Sequence, residues 1–162
     1  MDLLEAKNLI AEALVESIFR RARYEIQPYR AGPAPLRLGR EDFSPDFCAR
    51  RPAEEGPPEE LLVEVKYRPS IEQFLSVETQ RAERSVLRLA GRQWPALYFV
   101  LVTDRPAPGR SCFQAIAVNR LRPGEPFRAA DLESFRELRL FRANVLDHEE
   151  LVRRIMGLLR GV

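Results

Sequence analysis

Lysine is nearly absent from this chain of 162 residues: of its 26 lysines and arginines only Lys7 and Lys66 are lysine. Histidine occurs once, as His148, and cysteine twice, as Cys48 and Cys112. These counts exclude a zinc site built from paired cysteine and histidine ligands. Both cysteines lie in apolar, strand-like stretches and read as buried, reduced thiols. No run of about 18 apolar residues is present, which excludes an α-helical membrane span. The stretch "MDLLEAKNLI" lacks the basic region of a signal peptide, so a cytoplasmic protein is expected. Internal repeats and low-complexity segments are missing too. Excess charge is small: the net value of +2 neither identifies a nucleic-acid partner nor opposes one.

What is there reads as one α/β domain over 1–162. Residues 2–24 form a first helix, opened by the capping-box pair Asp2 and Glu5. Leu3, Ala6, Leu9, Ile10, Ala13, Leu14 and Ser17 recur at helical spacing and are the expected buried stripe. "YEIQPY" follows as a strand, then a loop over 31–42 rich in proline and glycine. "FSPDFCAR" and "LLVEVKYR" make a hairpin with a long proline-rich tip. Residues 70–94 read as one long helix, leading to Trp94 as a core anchor. "ALYFVLVT" is apolar throughout, as a strand buried on both faces is, and "SCFQAIAVN" is a further strand. "FRELRLF" fits either a strand or a helix. A last helix starts near Asp147, its expected cap, and places His148 at a surface helix end.

Charge on the strand "LLVEVKYR" is out of place. Alternation puts Leu61, Val63, Val65 and Tyr67 on one face and Leu62, Glu64, Lys66 and Arg68 on the other. Burying a carboxylate beside an ammonium is costly unless the two are paired or used. The preceding strand supplies Asp46 after Pro45, and in-register pairing of the hairpin brings Asp46 toward Glu64. Two close carboxylates repel, and a hard divalent cation relieves the repulsion. Elsewhere this chain writes arginine where only positive charge is needed, so the lysine at 66 points to chemistry that arginine cannot do.

"SPDF" followed by "VEVKY" resembles the PD-(D/E)XK signature of the restriction-endonuclease-like nucleases, matched here by Pro45-Asp46 and Glu64-Val65-Lys66. The eighteen residues from Asp46 to Glu64 fit that family's spacing. The resemblance implies a restriction-endonuclease-like core: a mixed β-sheet flanked by helices in α-β-β-β-α-β order over about 2–119, with an extra C-terminal helix within 120–162. It implies Mg²⁺ or Mn²⁺ held by Asp46, Glu64 and the Val65 carbonyl. Lys66 would act on water or phosphate. The first helix, "AEALVESIFRRARYEI", is similar to that of archaeal Holliday-junction resolvases, whose helical acid maps onto Glu12, with Glu16 one turn later. The implied activity is endonucleolytic hydrolysis of phosphodiesters, with DNA the expected substrate. The alternative is an inactive module of the same fold that binds nucleic acid or a partner protein. Related nucleases are often dimers, so a homodimer is also implied.

Weaker signals surround this constellation. Arg81, Arg84, Arg88 and Arg92 recur at helical spacing, and Arg50 and Arg51 lie near the hairpin tip. Arg50, Arg51, Arg84 and Arg88 are the candidate contacts to a nucleic-acid backbone, against the plainer reading of solvated faces. Gln80 matches a glutamine used by some nuclease families.

Overall fold

A computed structural model describes residues 1–30, 32, 34–38 and 41–160. Helix α1 spans Leu3–Arg21 and starts with the expected capping box, Asp2 accepting from the Glu5 N–H and Glu5 from the Asp2 N–H. It stops at Arg23, whose φ of 71° takes the chain out of the helix. The strands are β1 Glu25–Pro28, β2 Leu36–Leu38, β3 Glu41–Phe43, β4 Phe47–Arg51, β5 Glu59–Tyr67, β6 Leu97–Val102, β7 Phe113–Ala117 and β8 Ala130–Asp131. Three more helices follow β5: α2 Ile71–Arg81, α3 Val86–Gln93 and α4 Arg142–Leu159.

Six strands form one mixed sheet in the order β1-β4-β5-β6-β7-β8. Only β5 and β6 run parallel, and α2 with α3 supplies the crossover that a parallel pair needs. One face of the sheet carries Val63, Val65 and Tyr67 into a core shared with α1 and α4 through Val15, Ile18, Phe19, Val152 and Met156. The other face packs Leu97, Phe99 and Leu101 against Leu75, Leu87, Ala90 and Trp94. The architecture is therefore α/β, a mixed sheet with helices on both faces. Among the described residues no helix is long and apolar enough to cross a membrane.

Several expectations need correction. The buried stripe of α1 is Ala11, Leu14, Val15, Ile18 and Phe19; Leu3, Leu9 and Ala13 are exposed. Of the loop expected over 31–42, residues 31, 33, 39 and 40 lie outside the described residues, and the rest includes the β2–β3 ribbon. The single helix over 70–94 is two. Ala82 takes a positive φ of 51°, a 3₁₀ turn follows, and Ser85 caps α3 through the Leu87 N–H. The predicted arginine row is therefore broken. Helix α4 begins at Arg142, so Asp147 is an exposed interior residue and His148 is buried between α4 and α1. "FRELRLF" is neither strand nor α-helix: it holds one short 3₁₀ turn, Arg136–Leu138. Cys112 is buried as expected, whereas Cys48 is half-exposed, its thiol 3.1 Å from Glu60.

Candidate functional site

The site forms where a strand ladder ends early. Strands β4 and β5 pair from Arg51 opposite Glu59 to Phe47 opposite Val63. There the ladder stops, because Pro45 has no N–H to continue it. Side chains then complete the exposed edge of β5. The Val65 N–H donates to Asp46 Oδ2 at 2.7 Å, and the Tyr67 N–H donates to Asn8 Oδ1 at 2.8 Å. A cleft of about 360 Å³ opens at this edge, lined by Asn8 and Glu12 of α1, Glu41 of β3, Asp46, Val65 and Lys66.

Glu64 sits behind the cleft with 1% of its surface exposed, so its charge is almost wholly stripped of water. One carboxylate oxygen, Oε2, accepts the Ser44 N–H at 2.9 Å. The other, Oε1, lies 3.1 Å from Lys66 Nζ but receives no hydrogen bond. The Lys66 ammonium also stands 5.3 Å from the centre of the Phe43 ring. The Asp46 charge acts directly on Glu64.

Electrostatics follow from this crowding. Burial pushes Glu64 well above the usual carboxylate range, with the Asp46 charge adding to it and Lys66 opposing. Burial raises Asp46 as well, against the pull of the Val65 N–H and of Lys66. Glu12 is pushed up to about 7, first by burial and then by the charges of Asp46 and Glu16, with Lys66 opposing. Glu16 adds its charge to Glu12 and Asp46 while standing outside the cleft lining.

Three raised carboxyls around an acceptor without a hydrogen bond are a fitting environment for a divalent cation, which replaces their protons. Asp46 and Glu64 would be its side-chain ligands. The Val65 carbonyl projects from the same strand edge as its N–H and could be a third. Among the described residues no three His, Cys, Asp or Glu side chains group to hold a metal by themselves. Mg²⁺ is commonly held by one or two carboxylates with water completing its shell.

The remaining predicted residues are elsewhere. Arg50 is exposed on β4 opposite Glu60, and Arg51 lies over the Tyr24 ring. Arg84 is exposed in the turn between α2 and α3, while Arg88 donates to the Arg122 carbonyl and covers Phe127. Gln80 lines a separate groove between α2 and residues 126–129. None of these five lines the cleft. Sequence reasoning missed Asn8 and Glu41. Asn8 carried a signal: asparagine inside a helix is unfavourable, and it precedes Glu12 by one turn.

In comparisons with protein-family models, characterised proteins and solved structures, nothing matches this chain.

Proposed function

We propose that the chain is a metal-dependent nuclease of the PD-(D/E)XK type, built on a restriction-endonuclease-like core and hydrolysing phosphodiesters in DNA. The observation that carries this reading is the meeting of Asp46, Glu64 and Lys66 at one strand edge, with Glu12 reaching the same cleft from α1. Asp46 and Glu64 would hold Mg²⁺ or Mn²⁺. Once bound, such an ion supplies Lewis-acid stabilisation of charge on the phosphate. Lys66 sets an ammonium beside the same position, where it can bind a phosphate oxygen or orient water. Glu12, titrating near neutrality, can accept a proton at its carboxylate or return one.

The test is cleavage of single-stranded, duplex and branched DNA by wild type and Asp46→Ala, with calorimetry for Mg²⁺ and Mn²⁺. Wild type should bind the ion and cut at least one substrate, and Asp46→Ala should do neither while staying folded. Equal ion affinity in the two proteins would remove Asp46 from the ligand set. A second reading, a module that holds nucleic acid or a partner protein without cutting, is favoured by one feature: among the described residues lining the cleft, Lys66 is the one basic side chain beside five acids, which keep a phosphodiester out of the cleft when no cation is bound. Salt-dependent DNA binding without cleavage under any divalent ion would support it.

A further inference from the structure

Asn8 touches none of the groups given a chemical role above, yet it ties three elements together beside them. Its Oδ1 accepts the Tyr67 N–H at 2.8 Å, and its Nδ2 faces Glu41 Oε1 at 3.4 Å. Glu41 in turn receives the Arg68 guanidinium through two contacts, at 2.7 and 3.3 Å. Only one orientation of the amide serves both partners, because an N–H needs the oxygen and a carboxylate needs the NH₂. The side chain is therefore fixed from both ends.

Strand β5 has need of such a tie. Beyond Val63 no strand among the described residues pairs along this edge, and its amides are met by Asp46 at Val65 and by Asn8 at Tyr67. Those two bonds bracket Lys66 in the chain. Asn8 and Glu12 are also one turn apart on the same side of α1 and both line the cleft. Securing Asn8 to the strand fixes the rotation of the helix at that turn, and with it the direction in which Glu12 points.

We infer that Asn8 is a positioning residue, acting through the Tyr67 amide and the Glu41 carboxylate to hold Glu12 toward Asp46 and Lys66. The inference rests on the nuclease reading. A merely structural asparagine would lower stability when replaced, with no coupling to Glu12.

The experiment is single-turnover cleavage at saturating Mg²⁺ by wild type, Asn8→Ala, Glu12→Gln and the double variant, with hydrogen exchange at the Tyr67 amide. Asn8→Ala should lower the maximal rate by about tenfold to a hundredfold, the scale of a misplaced catalytic group. The substrate concentration for half-saturation should stay within about twofold, as it does when an interaction specific to the transition state is lost. The double variant should be no slower than Glu12→Gln alone, since both changes remove the same contribution. Tyr67 exchange should accelerate. Should Asn8→Ala fail to fold, Asn8→Asp gives the rate comparison alone: it sets a carboxylate against Glu41 in place of the NH₂ but keeps the oxygen for Tyr67, so the exchange criterion applies to Asn8→Ala only. Losses that multiply in the double variant, or unchanged Tyr67 exchange, overturn the assignment of Asn8 alone. Absence of cleavage by wild type on every substrate overturns the nuclease reading itself, and the role of Asn8 with it.

Discussion

Lys66 has little room. Its side chain is 12% exposed, pinned between the Glu64 carboxylate and the Phe43 ring. A guanidinium is planar and longer, and it does not give up its proton. Lys66→Arg should therefore keep the fold and ion binding but lower single-turnover cleavage by roughly a hundredfold, the scale of one charge-stabilising or acid–base group. Wild-type rates in that variant would mean the lysine supplies charge alone. Glu12 adds a pH dependence. Its carboxyl is raised from 4.5 to about 7, so the folded state holds that proton more tightly than the unfolded chain. The stability it contributes is complete below 4.5 and is lost as pH rises through about 7. Without divalent ions, the thermal midpoint should fall between about pH 5 and about pH 8, and Glu12→Gln should make that fall shallower. Asp46 and Glu64 shift in the same direction, so some slope should remain. Identical slopes in wild type and Glu12→Gln would show that Glu12 titrates normally.

At the scale of elements, β5 was the most legible part of the sequence and the helices the least. Period-two alternation alone put Glu64 and Lys66 on one face, whereas the strand expected over "FSPDFCAR" begins only at Phe47, after Pro45. The break between α2 and α3 was hidden because no proline or glycine interrupts the stretch before Gly91. Its actual cause is a capping serine at 85 and a buried acid at 78. Glu78 accepts from the Val86 N–H at 2.8 Å and from Ser85 Oγ at 3.2 Å, and it meets Arg81 at 3.5 Å. That carboxylate folds α3 back on α2. Glu78→Ala strands a buried N–H and should cost about 1–3 kcal/mol in urea unfolding, the usual penalty for an unmet buried donor. Ion affinity should not change, since Glu78 lies outside the cleft. The stripe of α1 was misread for another reason. The helix carries apolar residues on two adjoining faces, and only the sheet decides between them. Leu9 belongs to the face left over, and it ends on the cleft wall.

The role of the last 40 residues as a whole was not legible, because the partners that α4 needs lie far away in the chain. Glu149 of α4 takes the Ser111 hydroxyl and the Cys112 N–H, each at 2.7 Å. His148 meets Ser17 of α1 at 2.8 Å. Arg160 pairs with Asp104, which also receives the Tyr67 hydroxyl at 2.5 Å. Val145, Val152 and Met156 join the core that covers α1. A chain ending at residue 141 should therefore lose its cooperative thermal transition, not merely an appendage; a sharp transition close to that of the full chain would show α4 to be dispensable.

The contact between Ser17 and His148 spans 131 positions, and protein synthesis delivers those two residues in that order. While a ribosome is still making the middle of the chain, α1 can lie on β5 but has nothing on its outer flank. Glu12 and Asn8 then ride on a helix that lacks its packing against α4. Helix α4 lends the cleft none of its lining residues, so its late arrival bears on the site only through the seat it gives to α1.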